Sequence, residues 1–208
     1  SLKWIQRAVN VRPAVIDALI LPEIPSASKI DWLSPIEADG FAEYRDRSFL
    51  ERIGHPDLTE TLSHFWPARG PQWDALGRTD TGEMILVEAK AHIDEMLSGG
   101  TRSSEPSLQK IKCAFDQTMK ALGATPATDW TGTLYQTANR LAHLHFFTAH
   151  DVPARLVFVC FVGDDDVGGP SSADEWRGAL RIVRRMLGLS KSQKRIIDVF
   201  PSISELEA

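Results

Sequence analysis

Pro71-Gln-Trp-Asp-Ala-Leu-Gly-Arg-Thr-Asp-Thr-Gly-Glu-Met-Ile-Leu-Val-Glu-Ala-Lys90 reads as two short strands joined by a tight turn at Asp80-Thr81-Gly82. A three-residue hairpin loop needs a left-handed residue at its last position, and Gly82 supplies it. With the hairpin centred on Thr81, Asp74 falls opposite Glu88, each seven residues from the centre. Directly opposed residues have Cβ atoms roughly 5 Å apart on one face of the sheet. Side chains alternate along a strand, so Lys90 shares that face with Glu88 while Ala89 points away. Two carboxylates and a lysine then converge on one spot, a trio able to hold a divalent metal and a water beside a phosphate.

That arrangement is costly unless it has a use. Two close carboxylates repel, and a sheet face carrying both forfeits apolar burial. A hard cation removes the penalty, because Mg²⁺ takes oxygen ligands and typically uses one or two carboxylates plus waters and phosphate oxygens. Leu86 and Val87 mark the second strand as buried, where an exposed hairpin would alternate. A slip of one residue would send Asp74 to the other face, so the whole reading hangs on the register.

An Asp, a hairpin, then Glu-x-Lys at the end of an apolar strand resembles the PD-(D/E)XK nuclease superfamily, the restriction-endonuclease-like fold. Trp73 rather than Pro precedes Asp74, with Pro71 three residues before it, so the resemblance is carried by Asp74, Glu88 and Lys90 in their strand context. It implies an α/β fold with a mixed central sheet flanked by helices, whose elements run from about Phe41 to Phe200. On that basis residues 41–208 form the nuclease core and residues 1–40 an N-terminal helical extension packed on it. The implied activity is Mg²⁺- or Mn²⁺-dependent hydrolysis of phosphodiester bonds, with DNA the expected substrate. Asp74 and Glu88 would bind the metal, joined by the backbone carbonyl of Ala89. Lys90 would orient the attacking water or stabilise charge on the phosphate. Similar nucleases project an acid from the helix before the hairpin, and Glu43 is chosen here over Asp46 and Glu51. Many such nucleases pair to cut both strands, which leaves a homodimer open.

The segment from Tyr135 to Phe147 predicts a helix with two unlike sides. Gln136, Asn139, Arg140 and His143 fall at i, i+3, i+4 and i+7, while Leu134, Ala138, Leu141, Ala142 and Leu144 form the apolar side. Surface stripes usually carry Lys and Glu, whereas amides and an arginine suit phosphates and base edges. Gln136, Asn139 and Arg140 are therefore expected to position a nucleic-acid strand, the alternative being a stripe that faces water. Gln136 also resembles the glutamine that some relatives place on the helix after the Glu-x-Lys strand. His92, just beyond Lys90, is a further candidate for substrate contact.

Composition sets the outer bounds. The 43% hydrophobic and 25% charged fractions are those of an ordinary globular protein. Cys113 and Cys160 are too few for a disulfide framework or a cysteine zinc cage. No apolar run approaches the roughly 20 residues of a membrane span, and no charged-then-apolar signal segment opens the chain. The expectation is a protein of the reducing cytoplasm with no membrane partner. The net charge of −5 runs against a nucleic-acid binder, whose footprint is usually basic. Locally the balance reverses: Arg177, Arg181, Arg184, Arg185, Lys191, Lys194 and Arg195 are either a solvated face or a phosphate-tracking patch.

The rest of the chain reads as helix over Leu2 to Leu21, loop over Pro22 to Ser28, and irregular structure over Asp31 to Gly40 with Trp32 and Leu33 tucked inward. Helices follow over Phe41 to Ile53, closed by Gly54, and over Asp57 to Phe65 with Asp57 as N-cap. A loop over 92–106, a helix over Ser107 to Leu122, a strand over Ala154 to Val162, a basic helix over about 173–188 and a strand over Arg195 to Phe200 complete it. Zinc-hydrolase His-Glu-x-x-His spacing, a Gly-Lys-Ser/Thr phosphate loop and a Gly-x-Ser-x-Gly elbow are all absent. Asp164, Asp165 and Asp166 read as a solvated acidic turn before a metal site. Two rival functions stay open: a non-catalytic nucleic-acid-binding or interaction protein that keeps the nuclease fold, and a hydrolase of another phosphate ester.

Overall fold

A computed structural model describes residues 1–189 and 193–207. The quoted stretch forms β2 (Ala75–Thr79) and β3 (Met84–Lys90), paired antiparallel with Ala75 opposite Val87 and Arg78 opposite Met84. That register continues to place Asp74 across from Glu88. Gly82 takes φ +86° and its N–H donates to the Thr79 carbonyl at 2.9 Å, so the turn closes as the loop chemistry requires. The tip is also tied down from outside: the Asp80 carboxylate accepts from the N–H of Ser28 at 3.0 Å and from its hydroxyl at 2.5 Å.

The hairpin sits inside a five-stranded mixed sheet of order β1-β2-β3-β4-β5, with β1 at Ile30–Ser34, β4 at Ala154–Cys160 and β5 at Ile196–Val199. The first three strands are antiparallel and the last three parallel. Parallel neighbours need long crossovers. Here α5 (Glu105–Leu122) and α6 (Tyr135–Ala149) connect β3 to β4, and α7 (Ala173–Met186) connects β4 to β5. Covering both faces makes the central strands mostly apolar, and every residue of β3 is buried, Glu88 and Lys90 included.

Helices cover the two faces unequally. On one side α1 (Leu2–Asn10), α2 (Pro13–Ile20) and α8 (Ile203–Glu207) pack on Ala75, Ile85, Val87, Val157 and Val159. On the other, α3 (Asp46–Ile53), α4 (Thr59–Phe65), α5, α6 and α7 pack on Leu76, Met84, Leu86, Leu156 and Phe158. The result is a three-layer α/β fold. Among the described residues no helix is long and apolar enough to cross a membrane.

Several local expectations are corrected. Residues 31–34, expected to be irregular, belong to the edge strand Ile30–Ser34 on β2, so residues 1–40 supply part of the sheet as well as the helices laid on it. Trp32 and Leu33 do tuck inward, onto opposite faces. The helix expected from Phe41 begins only at Asp46, because Phe41 and Asp46 take left-handed φ of +59° and +50°, which no helix interior accommodates. Gly54 closes it at φ +85° as anticipated. Asp57 lies inside a 3₁₀ turn, Pro56–Leu58, and Leu58 rather than Asp57 is the N-cap of α4. The short α8 after β5 had no clear sequence signal.

Candidate active site

The trio converges where β3 ends. Lys90 Nζ donates to Glu88 Oε1 at 2.6 Å and to Gln136 Oε1 at 2.9 Å. Asp74 turns toward the same strand and its Oδ2 accepts the Ala89 N–H at 2.7 Å. Arg140, reaching in from α6, donates through Nε to Glu88 Oε2 at 2.5 Å and through Nη2 to the Gln72 carbonyl at 2.8 Å. Its guanidinium lies 4.9 Å from the centre of the Trp73 ring. Glu88 is 1% exposed, Arg140 4% and Lys90 5%, so these charges interact through protein rather than through water.

The charges are not evenly compensated. Both oxygens of Glu88 carry a cation. Among the described residues Asp74 has one backbone hydrogen bond and no ion pair; burial, reinforced by the nearby negative charge of Glu88, raises its carboxyl to about 7 against the pull of the Ala89 N–H, Arg140 and Lys90. A carboxylate so placed lacks a cation. Glu43 is the third acid in the neighbourhood. Its Oε2 accepts from Gln72 Nε2 at 2.8 Å, and burial lifts its carboxyl above the usual range while Arg140 and Glu88 act on it from nearby with opposite sign. It projects from the extended chain before α3, not from a helix.

The α6 stripe divides. All four of its positions are at least partly withdrawn from solvent, so the water-facing alternative is excluded. Gln136 and Arg140 reach the trio. Asn139 and His143 do not: His143 Nδ1 pairs with the Asn139 carbonyl at 3.0 Å and its ring packs 5.0 Å from Trp66 and 6.2 Å from Trp73. Full burial drives His143 down to about 3. Asn139 is 5% exposed and its Oδ1 has no hydrogen-bond partner. His92 leans toward Glu95, at 3.9 Å, and neither a hydrogen bond nor an ion pair joins it to the trio.

The sequence reading missed the strap that seats Asp74. The Asp46 carboxylate accepts the N–H groups of Arg69 at 2.9 Å and Gly70 at 2.8 Å, and the Trp73 N–H reaches the Tyr44 carbonyl at 3.3 Å. A Cβ on Gly70 would lie 2.9 Å from Asp46 Oδ1 and 3.4 Å from His143 Nε2, so a larger residue would have to displace the Asp46 carboxylate. The one available signal was that glycine, set between Arg69 and Pro71. Trp73 is fully buried and serves as the platform beneath Arg140.

Among the described residues no group of three or more His, Cys, Asp or Glu side chains is arranged to hold a metal ion. What the site offers is Asp74 and Glu88 with the Ala89 backbone between them. Two carboxylates suit Mg²⁺, which keeps several waters, and the uncompensated charge of Asp74 is what a cation would relieve. The donor set fits Mg²⁺ or Mn²⁺.

Other candidates resolve into structure. Asp164 is buried and accepts the Trp4 indole N–H at 2.5 Å, fastening the loop after β4 to α1. Burial pushes the Cys160 thiol up, away from reactivity. In the basic segment Arg177 pairs with Asp174 at 2.7 Å and Arg184 with Asp198 at 2.5 Å, while Arg181 and Arg185 face solvent without such partners among the described residues; Lys191 lies outside them. Comparison with protein-family models, with curated proteins and with solved structures finds no match.

Proposed function

We propose that this chain is a metal-dependent phosphodiesterase, a nuclease acting on DNA, with a restriction-endonuclease-like core. The observation that carries the reading is Asp74 opposite Glu88 with Lys90 on the same face, at the end of a strand otherwise apolar. A bound Mg²⁺ or Mn²⁺ would supply Lewis-acid polarisation of the scissile phosphate and a water of lowered pKa. Asp74, Glu88 and the Ala89 carbonyl would hold it. Lys90, steered by Gln136, holds its Nζ beside Glu88, where it would orient a water or meet charge on the phosphate. Glu43 adds negative charge behind the pair.

The test is cleavage of plasmid, single-stranded DNA and RNA with Mg²⁺ or Mn²⁺, using wild type, Asp74→Asn and Lys90→Ala. Metal-dependent cleavage lost in both variants, with folding intact, is the expected result and identifies the substrate. One observation favours a second reading, a non-catalytic nucleic-acid-binding or interaction protein: Glu88 is already neutralised by Lys90 and Arg140. Polynucleotide binding without cleavage, unchanged in both variants, would select it. Cleavage of small phosphoesters alone would select a different phosphate-ester hydrolase.

A further inference from the structure

Arg140 stands where the metal reading needs open space. Its Nε takes the second oxygen of Glu88, its Nη2 holds the Gln72 carbonyl, and its guanidinium lies over Trp73. With Lys90 on the first oxygen, Asp74, Glu88, Lys90 and Arg140 sum to zero when all are ionised. A divalent ion entering that buried, neutral group meets two cations already on its ligand. A guanidinium in a protein does not yield by losing its proton. It can only move.

We infer that Arg140 is an internal counter-cation that competes with the divalent metal for Glu88 and leaves Glu88 Oε2 when metal binds; this rests on the metal reading of the site above. Its other two attachments define where it goes. The Gln72 carbonyl and the Trp73 ring lie on the strap beside Asp74, outside the Glu88 carboxylate. A guanidinium retained there has its Nε edge freed, and arginine binds phosphate through paired N–H groups. Metal entry and the presentation of a phosphate-binding edge are then one event. The rival role for the same contact is orientation, with Arg140 holding Glu88 in the pose that the metal needs. The two roles give opposite signs when the charge is removed.

The experiment is calorimetric titration of Mn²⁺, without nucleic acid, into wild type, Arg140→Met, Arg140→Lys and Asp74→Asn. Competition predicts that Arg140→Met binds Mn²⁺ about ten-fold more tightly than wild type, as loss of a buried neighbouring cation strengthens a carboxylate ligand. Arg140→Lys should stay near wild type and Asp74→Asn should lose binding. In parallel, the Arg140 Nε–H resonance of ¹⁵N-labelled wild type, assigned by its absence from Arg140→Lys, should shift on saturation with Mg²⁺. This second readout decides the matter even where Arg140→Met fails to fold. Weaker or unchanged Mn²⁺ binding in a folded Arg140→Met, or an Arg140 signal unmoved by Mg²⁺, overturns the inference and leaves the metal site standing. No Mn²⁺ binding by any of the proteins brings down both.

Discussion

The two faces of β3 began from the same strand and were built to different ends. Ile85, Val87 and Ala89 point to the layer of α1, α2 and α8 and join its apolar cluster. Met84 and Leu86 point the other way into an equally apolar core, but the next two positions on that face are Glu88 and Lys90, both buried. The first face spends its burial on hydrophobic contact. The second gives up part of that gain and takes on a buried ion cluster, which seldom repays its desolvation in stability. A protein that needed only a sheet core would have no reason to make the faces differ.

The sharpest way to break that contrast is to remove Glu88. Glu88→Ala leaves Lys90 and Arg140 buried without their counter-charge and should cost about 3–5 kcal/mol in urea unfolding; a cost near that of an ordinary methylene deletion would mean the cluster is relaxed and wet. Next comes His143, which supports the strap behind Asp74. Its folded pKa lies near 3, below the unfolded 6.5, so the unfolded chain binds more protons across that interval and stability is lost as pH falls. The loss should reach about 3 kcal/mol by pH 4, and a pH series on His143→Gln should lack that slope.

Asp74 has the opposite sign. Its folded pKa of about 7 lies above the unfolded value, so the folded chain binds more protons between about pH 4 and 7 and stability falls as pH rises. Asp74→Asn should therefore be more stable than wild type at pH 8, by roughly 4 kcal/mol, and equal to it near pH 3. A destabilised Asp74→Asn at pH 8 would mean its carboxylate is well satisfied and no cation is wanted. On the apolar face Ile85→Val should cost only about 0.5–1.5 kcal/mol by thermal unfolding. Smallest of all is Arg177→Ala, which breaks an exposed pair with Asp174 and should change stability by under about 0.5 kcal/mol.

How far the sequence reached depends on the range of the interaction concerned. Gly82 and the alternation of side chains are local, and they placed Asp74, Glu88 and Lys90 together before any tertiary contact was known. The Phe41 helix was misjudged because left-handed turns at Phe41 and Asp46 carry no glycine to announce them. Asp46 takes that conformation while its carboxylate receives Arg69 and Gly70, residues more than twenty positions away. β1 was missed for a like reason: it is a short strand with only its two ends buried, recognisable from its partner and not from its own pattern. On α6 the spacing identified a stripe. It did not separate Gln136 and Arg140, which meet the trio, from Asn139, whose carbonyl pairs with His143, and His143, which sits among Trp66 and Trp73.

By itself the sequence determined the hairpin, its register and the face shared by two carboxylates and a lysine, because a fixed loop length and a period of two leave one answer. It also determined the mixed α/β layering, through buried strands separated by long helical crossovers. Only the tertiary structure decided that Arg140 neutralises Glu88, that Glu43 approaches from an extended segment, and that Asp74 is left without a counter-ion. Those facts depend on how α6 and the strap dock against the sheet. Docking is set by the packing of side chains from distant parts of the chain, and no local pattern encodes it.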